Sequence, residues 1–375
     1  MTGGGLAPAL NPTLYGIIDE ARKNDYQVYG GMFGWHCFLP EGKVVDLTAI
    51  DIDSIKNQGG TFLRSSRTNL FNISNGFESL KAKVKELGIG CIVAVGGNDT
   101  LGSASYICRN LDIPVIGVPK TIDNDLFETY WSPGYPTAAK RLADMTFEIK
   151  IDAAYSLSRV FIIECLGLDA GWLAAASSYG GADLIIPPER EAKIDKVLEL
   201  VNKKYRDNGG FAVVVMAHQV NFDKLESGIK DDNSDSFNTK RKIFTSLSLR
   251  DAVKKNLGFD CKALLPGNYI QSGAPIAVDR ESAIELGRRA IVEVERKNFG
   301  IASCLKRVTG TNRITVEIAP LEKLVGDGET RKLDDSLFDF DNYQIKHKFV
   351  EYLEPILGPF NSKFDSYTKL IQKLM

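Results

Sequence analysis

The chain has 375 residues, 44% hydrophobic and 25% charged, with 46 basic and 48 acidic side chains and a formal charge of −2. This ordinary globular balance excludes a chain too polar to bury a core, and it gives no reason to expect a nucleic-acid partner. No apolar run approaches the ~20 residues that cross a bilayer, so no membrane partner is expected.

The first residues, MTGGGLAPALN, lack the basic and apolar regions of a signal peptide. Six cysteines (Cys37, Cys91, Cys108, Cys165, Cys261, Cys304) show neither CxxC pairing nor zinc spacing, which fits a reducing, cytoplasmic setting. CIVAV (91–95) is the first strand considered, and a helix is expected from Thr100 to Leu111, followed by the strand IPVIGV (113–118). VFIIECLG (160–167), ADLIIP (182–187) and FAVVVMAH (211–218) continue the series, with the amphipathic stretch EAKIDKVLELVNKKYRD (191–207) between the last two. Short, wholly apolar strands alternating with helices belong to a parallel sheet covered on both faces, so the fold class is α/β. Cys91 and Cys165 fall inside such runs, where a cysteine serves as a small core hydrophobe. The polar segments 220–242 and 326–336 read as surface loops. From Asn342 the chain is expected to turn helical, with Phe349, Tyr352, Leu353 and Ile356 at helical spacing.

Ligands of an open parallel sheet bind beyond the carboxyl ends of its strands. GGNDT (96–100) follows one strand and precedes a helix. Its glycines let backbone approach a phosphate, and the helix start offers unpaired N–H groups. Such a turn is also an ordinary strand-to-helix connection with Asp99 or Thr100 as N-cap, so alone it decides nothing. VPKTIDND (118–125) carries more weight, because it packs Lys120, Asp123 and Asp125 into six residues at a strand end. Phosphoryl transfer needs that set: a cation on the phosphate, a carboxylate to take the attacking hydroxyl's proton, and another for a metal.

GGLAPALN (4–11), GGTFLRSSR (59–67), GGNDT, PKTIDND (119–125), ECLGLDAGWLA (164–174) and PGNYIQSGAPIAVDR (266–280) together resemble the successive motifs of the 6-phosphofructokinases. No GxxxxGK[ST] is present, so the chain is not a P-loop kinase. The resemblance spans about residues 3–320 and implies two Rossmann-like lobes with mostly parallel sheets. A donor lobe would comprise 1–134 and 270–320, and an acceptor lobe 135–269 and 321–375. It also implies a homo-oligomer, dimer or tetramer, in which a neighbouring subunit completes each acceptor site. Carried over by motif, Asp123 is the general base, Thr121 contacts the transferred phosphoryl group, and Arg67 bridges donor phosphates and transition state. Asn98 and Asp125 are the Mg²⁺ candidates, and Gly5, Gly97, Asp99 and Lys120 belong to the donor site.

Two positions concern the donor. ATP-using members carry glycine where this chain has Asp99 and Lys120, which resembles the pyrophosphate-dependent members. Asp99 would repel an α-phosphate, and Lys120 can bind the far phosphate of pyrophosphate. Asn98 replaces the family's aspartate and leaves an uncharged oxygen as metal ligand.

The acceptor half departs further. The MGR motif that grips fructose 6-phosphate reads Leu166-Gly167-Leu168, and Leu168 offers neither charge nor donors. Aligned without gaps, Asn268 and Gln271 replace an aromatic or imidazole and an arginine; a one-residue gap puts Tyr269 and Ser272 there instead. Lys262 stands where another arginine is usual, His218 where a glutamate is usual, and Arg159 matches a subunit-bridging arginine. Loss of two arginines removes charged hydrogen bonds worth ~1.5–3 kcal/mol each. Two readings follow. One is a Mg²⁺-assisted, pyrophosphate-dependent phosphotransferase acting on a non-standard sugar, sugar phosphate or polyol. The other is a non-catalytic regulatory subunit or metabolite-binding module on the same scaffold.

Overall fold

The computed structural model describes residues 1–225, 230–231, 241–242 and 244–360. Its principal strands are β1 (Ile92–Gly96), β2 (Val115–Pro119), β3 (Val160–Cys165), β4 (Leu184–Ile186), β5 (Ala212–Ala217), β6 (Cys261–Leu264), β7 (Ile301–Arg307) and β8 (Ile314–Pro320). They form two four-stranded sheets in two compact units.

Among the described residues, the first unit holds 1–137 and 271–331, with strand order β8-β7-β2-β1. β1, β2 and β7 run parallel, and β8 closes the edge antiparallel to β7. Ile92, Ala94, Val115, Ala302 and Cys304 from the strands share a core with Leu101, Ala104 and Ile107 of a helix α1 (Asn98–Leu111). That helix begins two residues before the expected Thr100. Thr100 is buried instead of capping, and it fits because Gly3 and Gly96 lack side chains: a Cβ on either would come within 2.5 Å of it.

Elsewhere in this unit the helices Leu10–Lys23 and Ala277–Glu295 pack at glycine-to-backbone distance. A Cβ on Gly16 would lie 2.1 Å from the Ile284 carbonyl, and one on Gly287 would lie 2.4 Å from that of Thr13. A cavity of about 460 Å³, lined by apolar residues including Leu14, Ile18, Leu47, Ile92 and Ile291, also lies here. No candidate donor-site residue lines it.

The second unit, 138–225, 244–270 and 332–360 with two short strand pieces, has the all-parallel order β6-β3-β5-β4. Every residue of β3, β4 and β5 is buried, which explains why they are wholly apolar except for Glu164. The buried Glu164 accepts from the backbone N–H groups of Phe244 (3.1 Å) and Ser246 (2.8 Å), capping the helix Thr245–Leu257 from a neighbouring strand.

Two readings of the C-terminal third need correction. The helix begins at His347, because Phe338–Asp339 and Gln344–Ile345 first pair as a small hairpin; Phe349, Tyr352, Leu353 and Ile356 are buried as their spacing predicts. The 326–336 stretch is not simply a surface loop, since Leu333 is buried and Arg331 is half-buried against backbone carbonyls. Most of the polar segment 220–242 lies outside the described residues. None of the six cysteines is in a disulfide, and burial raises the Cys37 and Cys91 thiols to about 12, the behaviour of inert groups.

Candidate active site

β1 and β2 end side by side, with Gly96 paired to Pro119 and the Lys120 N–H donating to the Gly96 carbonyl at 2.9 Å. Parallel pairing therefore delivers GGNDT and KTIDND to one place. Gly97 stands extended before α1, and Asn98 and Asp99 form the helix's first turn. The unpaired N–H groups and positive dipole of that turn favour an anion. Asp99 is exposed and acidic there, while Thr100 turns inward.

Lys120 is 3% exposed, and its ammonium donates to the Gly5 carbonyl at 2.7 Å. Gly4 lies beside it with φ +82°, a backbone conformation that L side chains rarely adopt; a Cβ there would be in ordinary contact, 3.4 Å from Nζ. Desolvation lowers the Lys120 pKa to about 8, opposed by the charges of Asp123 and Asp125 and reinforced by that of Arg67. Lys120, Arg67, Asp123 and Asp125 thus share one electrostatic environment, with Gly5 at its rim. Thr121 and Asp123 are joined as well: the Asp123 N–H donates to Thr121 Oγ1 at 3.1 Å, and that hydroxyl lies 3.4 Å from Asp123 Oδ2. Asp123 is half-buried, so a substrate hydroxyl can reach it.

Asn98 Nδ2 donates to Asp125 Oδ2 at 2.7 Å. The other two oxygens, Asn98 Oδ1 and Asp125 Oδ1, are buried and accept no hydrogen bond. Burial raises the Asp125 pKa to about 6, offset in part by Arg331 and by the Asn98 amide. Two adjacent buried oxygens without donors suit a hard cation. Among the described residues no cluster of three or more His, Cys, Asp or Glu exists that could hold a metal by itself. The pair therefore fits Mg²⁺ in its usual manner, with one or two protein oxygens, water and substrate phosphate.

In the second unit Gly167, Leu168 and His218 meet at the carboxyl end of the sheet. The His218 N–H donates to the Cys165 carbonyl at 2.9 Å, and a Cβ on Gly167 (φ +143°) would lie 4.0 Å from that of Ala217. Leu168 adopts φ 45°, an uncommon conformation for a branched residue, of the kind that collects at binding loops. Arg159 and Lys262 sit elsewhere. They flank the amino ends of β3 and β6, where Arg159 Nε lies 3.3 Å from Asp260 and Lys262 is exposed opposite Phe161. A six-residue strand separates them from Gly167 by roughly 20 Å. Asn268 is exposed in a single 3₁₀ turn, and Gln271 is half-buried in the segment belonging to the first unit.

Several contributors escaped the sequence reading. Gly4 lies beside Lys120, Asn124 (φ 58°) turns the backbone between the two aspartates, and Asp279 and Arg331 bind the same loop from far along the chain. Gly4, Asn124 and Asp279 fall inside the motifs GGLAPALN, PKTIDND and PGNYIQSGAPIAVDR, which did not mark these roles, and Arg331 left no signal.

A buried cation, paired acidic side chains and a helix amino terminus at adjoining strand ends of an α/β sheet define a phosphotransferase. The sequence profile of the family described as phosphofructokinase matches residues 1–294, and the chain belongs to that family. The pyrophosphate–fructose 6-phosphate 1-phosphotransferase of Dictyoglomus thermophilum is 32% identical over 345 residues, covering 90% of this chain and 95% of that protein. ATP-dependent 6-phosphofructokinase 3 of Streptomyces coelicolor is 31% identical over 327 residues, covering 85% and 92%. A pyrophosphate-dependent phosphofructokinase from Marinobacter aquaeolei has the same fold, with a TM-score of 0.83 at 24% identity over 96% of this chain and 91% of that one.

Proposed function

We propose that the protein transfers a phosphoryl group from pyrophosphate to a hydroxyl of a sugar, sugar phosphate or polyol other than standard fructose 6-phosphate. The observation that carries the donor half is Lys120, buried beside Gly5 at the strand end and still protonated at neutral pH. A buried ammonium there suits the terminal phosphate of a compact, highly charged donor, and exposed Asp99 repels a nucleotide's α-phosphate. The naming of the Dictyoglomus relative for pyrophosphate supports the same reading, although ATP-named relatives match nearly as well.

Asp123 takes the acceptor hydroxyl's proton while that oxygen bonds to phosphorus, and the P–O–P bond breaks to leave orthophosphate. Arg67 and Lys120 offset the charge on the departing and transferred groups, and Thr121 orients Asp123 through their hydrogen bonds. Mg²⁺ held by Asn98 and Asp125 supplies charge neutralisation on the phosphates when bound.

On the acceptor side, Gly167, Leu168 and His218 form a neutral, partly apolar strand end in place of a guanidinium, with Asn268 and Gln271 the remaining candidate contacts. Arg159 and Lys262, at the other end of their sheet, suit an anionic group on an acceptor held by a neighbouring copy. A homo-oligomer is therefore part of this reading, measurable by light scattering.

The test is orthophosphate release by purified protein with Mg²⁺ and pyrophosphate across fructose 6-phosphate, sedoheptulose 7-phosphate, free sugars and cyclitols, with ATP in parallel. Acceptor-dependent release with pyrophosphate and not ATP is the expected result. Equal or better turnover with ATP overturns the donor assignment. Fructose 6-phosphate as the best acceptor overturns the acceptor assignment.

A further inference from the structure

The segment between Lys120 and Gly134 carries Thr121, Asp123 and Asp125, yet it contains no helix and only one isolated bridge, Thr121 with Gly134. Its middle is tied by the Phe127 and Tyr130 N–H groups, which donate to the carbonyls of Leu324 (3.0 Å) and Leu305 (2.7 Å). Two charged side chains from far along the chain bind it as well.

Arg331 holds the acidic end. Its Nε and Nη2 donate to the Asn124 carbonyl at 3.2 and 2.7 Å, and its Nη1 donates to the carbonyls of Thr129 (2.6 Å) and Tyr130 (3.3 Å). Its backbone N–H donates to the Asp125 carbonyl at 2.8 Å. One residue thus binds the backbone on both sides of Asp125 and across the loop. Asn124, wholly buried, turns through φ 58° at this point, and its Oδ1 accepts from the Ser132 N–H at 3.1 Å.

Asp279 holds the other end. It is fully buried, and its carboxylate accepts from the Gly134 N–H at 2.8 Å, the Thr137 N–H at 3.3 Å and the Thr137 hydroxyl. Gly134 is the residue bridged to Thr121, so Asp279 reaches the first catalytic position through one backbone pairing. Gly134 itself has φ +104° and lies where a Cβ would come 2.9 Å from Ala7.

We infer that Arg331 and Asp279 are positioning residues: a cation on the loop's carbonyls and an anion on its N–H groups that hold Thr121, Asp123 and Asp125 in working geometry. In the contacts above both side chains bind loop backbone, and the Arg331 charge also acts on the Asp125 carboxyl. Their effect on rate comes through placement, where errors of about 1 Å cost on the order of a hundredfold. The inference deepens the proposed phosphoryl transfer and rests on it for its kinetic arm only.

The variants are Arg331→Met, Arg331→Lys, Asp279→Asn and the double Arg331→Met/Asp279→Asn. Thermal unfolding, amide hydrogen exchange, kcat and KM for pyrophosphate are measured on each. Arg331→Met is expected to lower kcat about 30–100-fold with KM changed less than about threefold, since placement limits the reaction more than donor binding. Added guanidinium ion recovers part of the loss, and Arg331→Lys falls between, because an ammonium keeps the charge without the fork. Asp279→Asn lowers kcat about tenfold. The double variant loses less than the product of the singles, because both act on one loop.

Exchange is expected to quicken at residues 121–134 and not across the two sheets. Should Arg331→Met or the double variant fail to fold, Arg331→Lys and Asp279→Asn carry the same comparison. Folded variants with kcat within twofold of the parent, or exchange that quickens evenly throughout, would overturn the inference. If the parent shows no turnover at all, the proposed function fails and the exchange pattern alone decides the clamp.

Discussion

The two carboxyl strand ends of this protein are built on opposite principles. In the first unit β1 and β2 end in charge: buried Lys120, half-buried Asp123 and buried Asp125 lie within six residues, with Asn98 hydrogen-bonded to the last. In the second unit β3 and β5 end in Gly167, Leu168 and buried His218, and the cations Arg159 and Lys262 stand at the amino ends of their strands. Chemistry that must be preorganised is gathered in a short, densely bonded loop. The candidate acceptor residues are spread over several segments, where a single substitution need not disturb the loop. Under the proposed function, that difference lets one chain keep the charged loop while its acceptor contacts diverge.

The sharpest way to break the comparison is to remove the base. Asp123→Asn should lower kcat about 10²–10⁴-fold, the usual worth of a general base, with little change in thermal stability. Initial rates of orthophosphate release measure it; a loss under tenfold would reassign the proton acceptor. Next in size is a repair of the second unit. Leu168→Arg should lower KM for a phosphorylated acceptor about 10–100-fold, the equivalent of one charged hydrogen bond of ~1.5–3 kcal/mol, and leave uncharged acceptors unimproved. An equal effect on both classes would mean that position 168 does not face an acceptor phosphate.

Acidity offers a third handle. Lys120 is protonated below about 8 and loses its charge above it, so pyrophosphate affinity should weaken by up to about tenfold per pH unit beyond that point. Stability of the free protein moves the other way. Between about 8 and the ordinary lysine value of 10.5 the unfolded chain holds the extra proton, so this group's contribution to stability rises with pH. Calorimetric titration with pyrophosphate and thermal unfolding across pH 7–10 check both signs, and Lys120→Met should flatten the binding curve.

The smallest expected effect is at Asn98 and Asp125, the pair proposed to hold Mg²⁺. Asn98→Asp sets a second carboxylate against Asp125, whose pKa burial has already raised to about 6. The variant should unfold a few degrees lower without Mg²⁺ and gain more from its addition than the parent does. Thermal shifts with and without Mg²⁺ decide it, independently of turnover.

Sequence alone determined the α/β class, five of the eight principal strands and the polar cluster from Lys120 to Asp125 at a strand end, because each depends on near neighbours. An apolar run of five or six residues declares a buried parallel strand, and GGNDT and KTIDND place their polar groups immediately after one. The same locality explains the errors at segment ends. Asp99 and Thr100 look like a cap but lie inside the helix, since Gly96 and Gly3 admit Thr100 into the interior. The segment after Asn342 has helical spacing, yet its first residues pair as a hairpin before His347.

Tertiary structure decided what long-range bonds decide. Arg331 sits in a polar stretch that reads as solvent-facing, yet its guanidinium satisfies carbonyls 207 and 202 residues away in sequence. Asp279 closes a similar gap of 145 residues to Gly134. Nothing in either local pattern marks a partner so distant, because a buried charge is tolerated only where folding brings donors or acceptors to meet it. The charged groups at the two strand ends were legible in their own segments, and the distant side chains that bond to their loop were not.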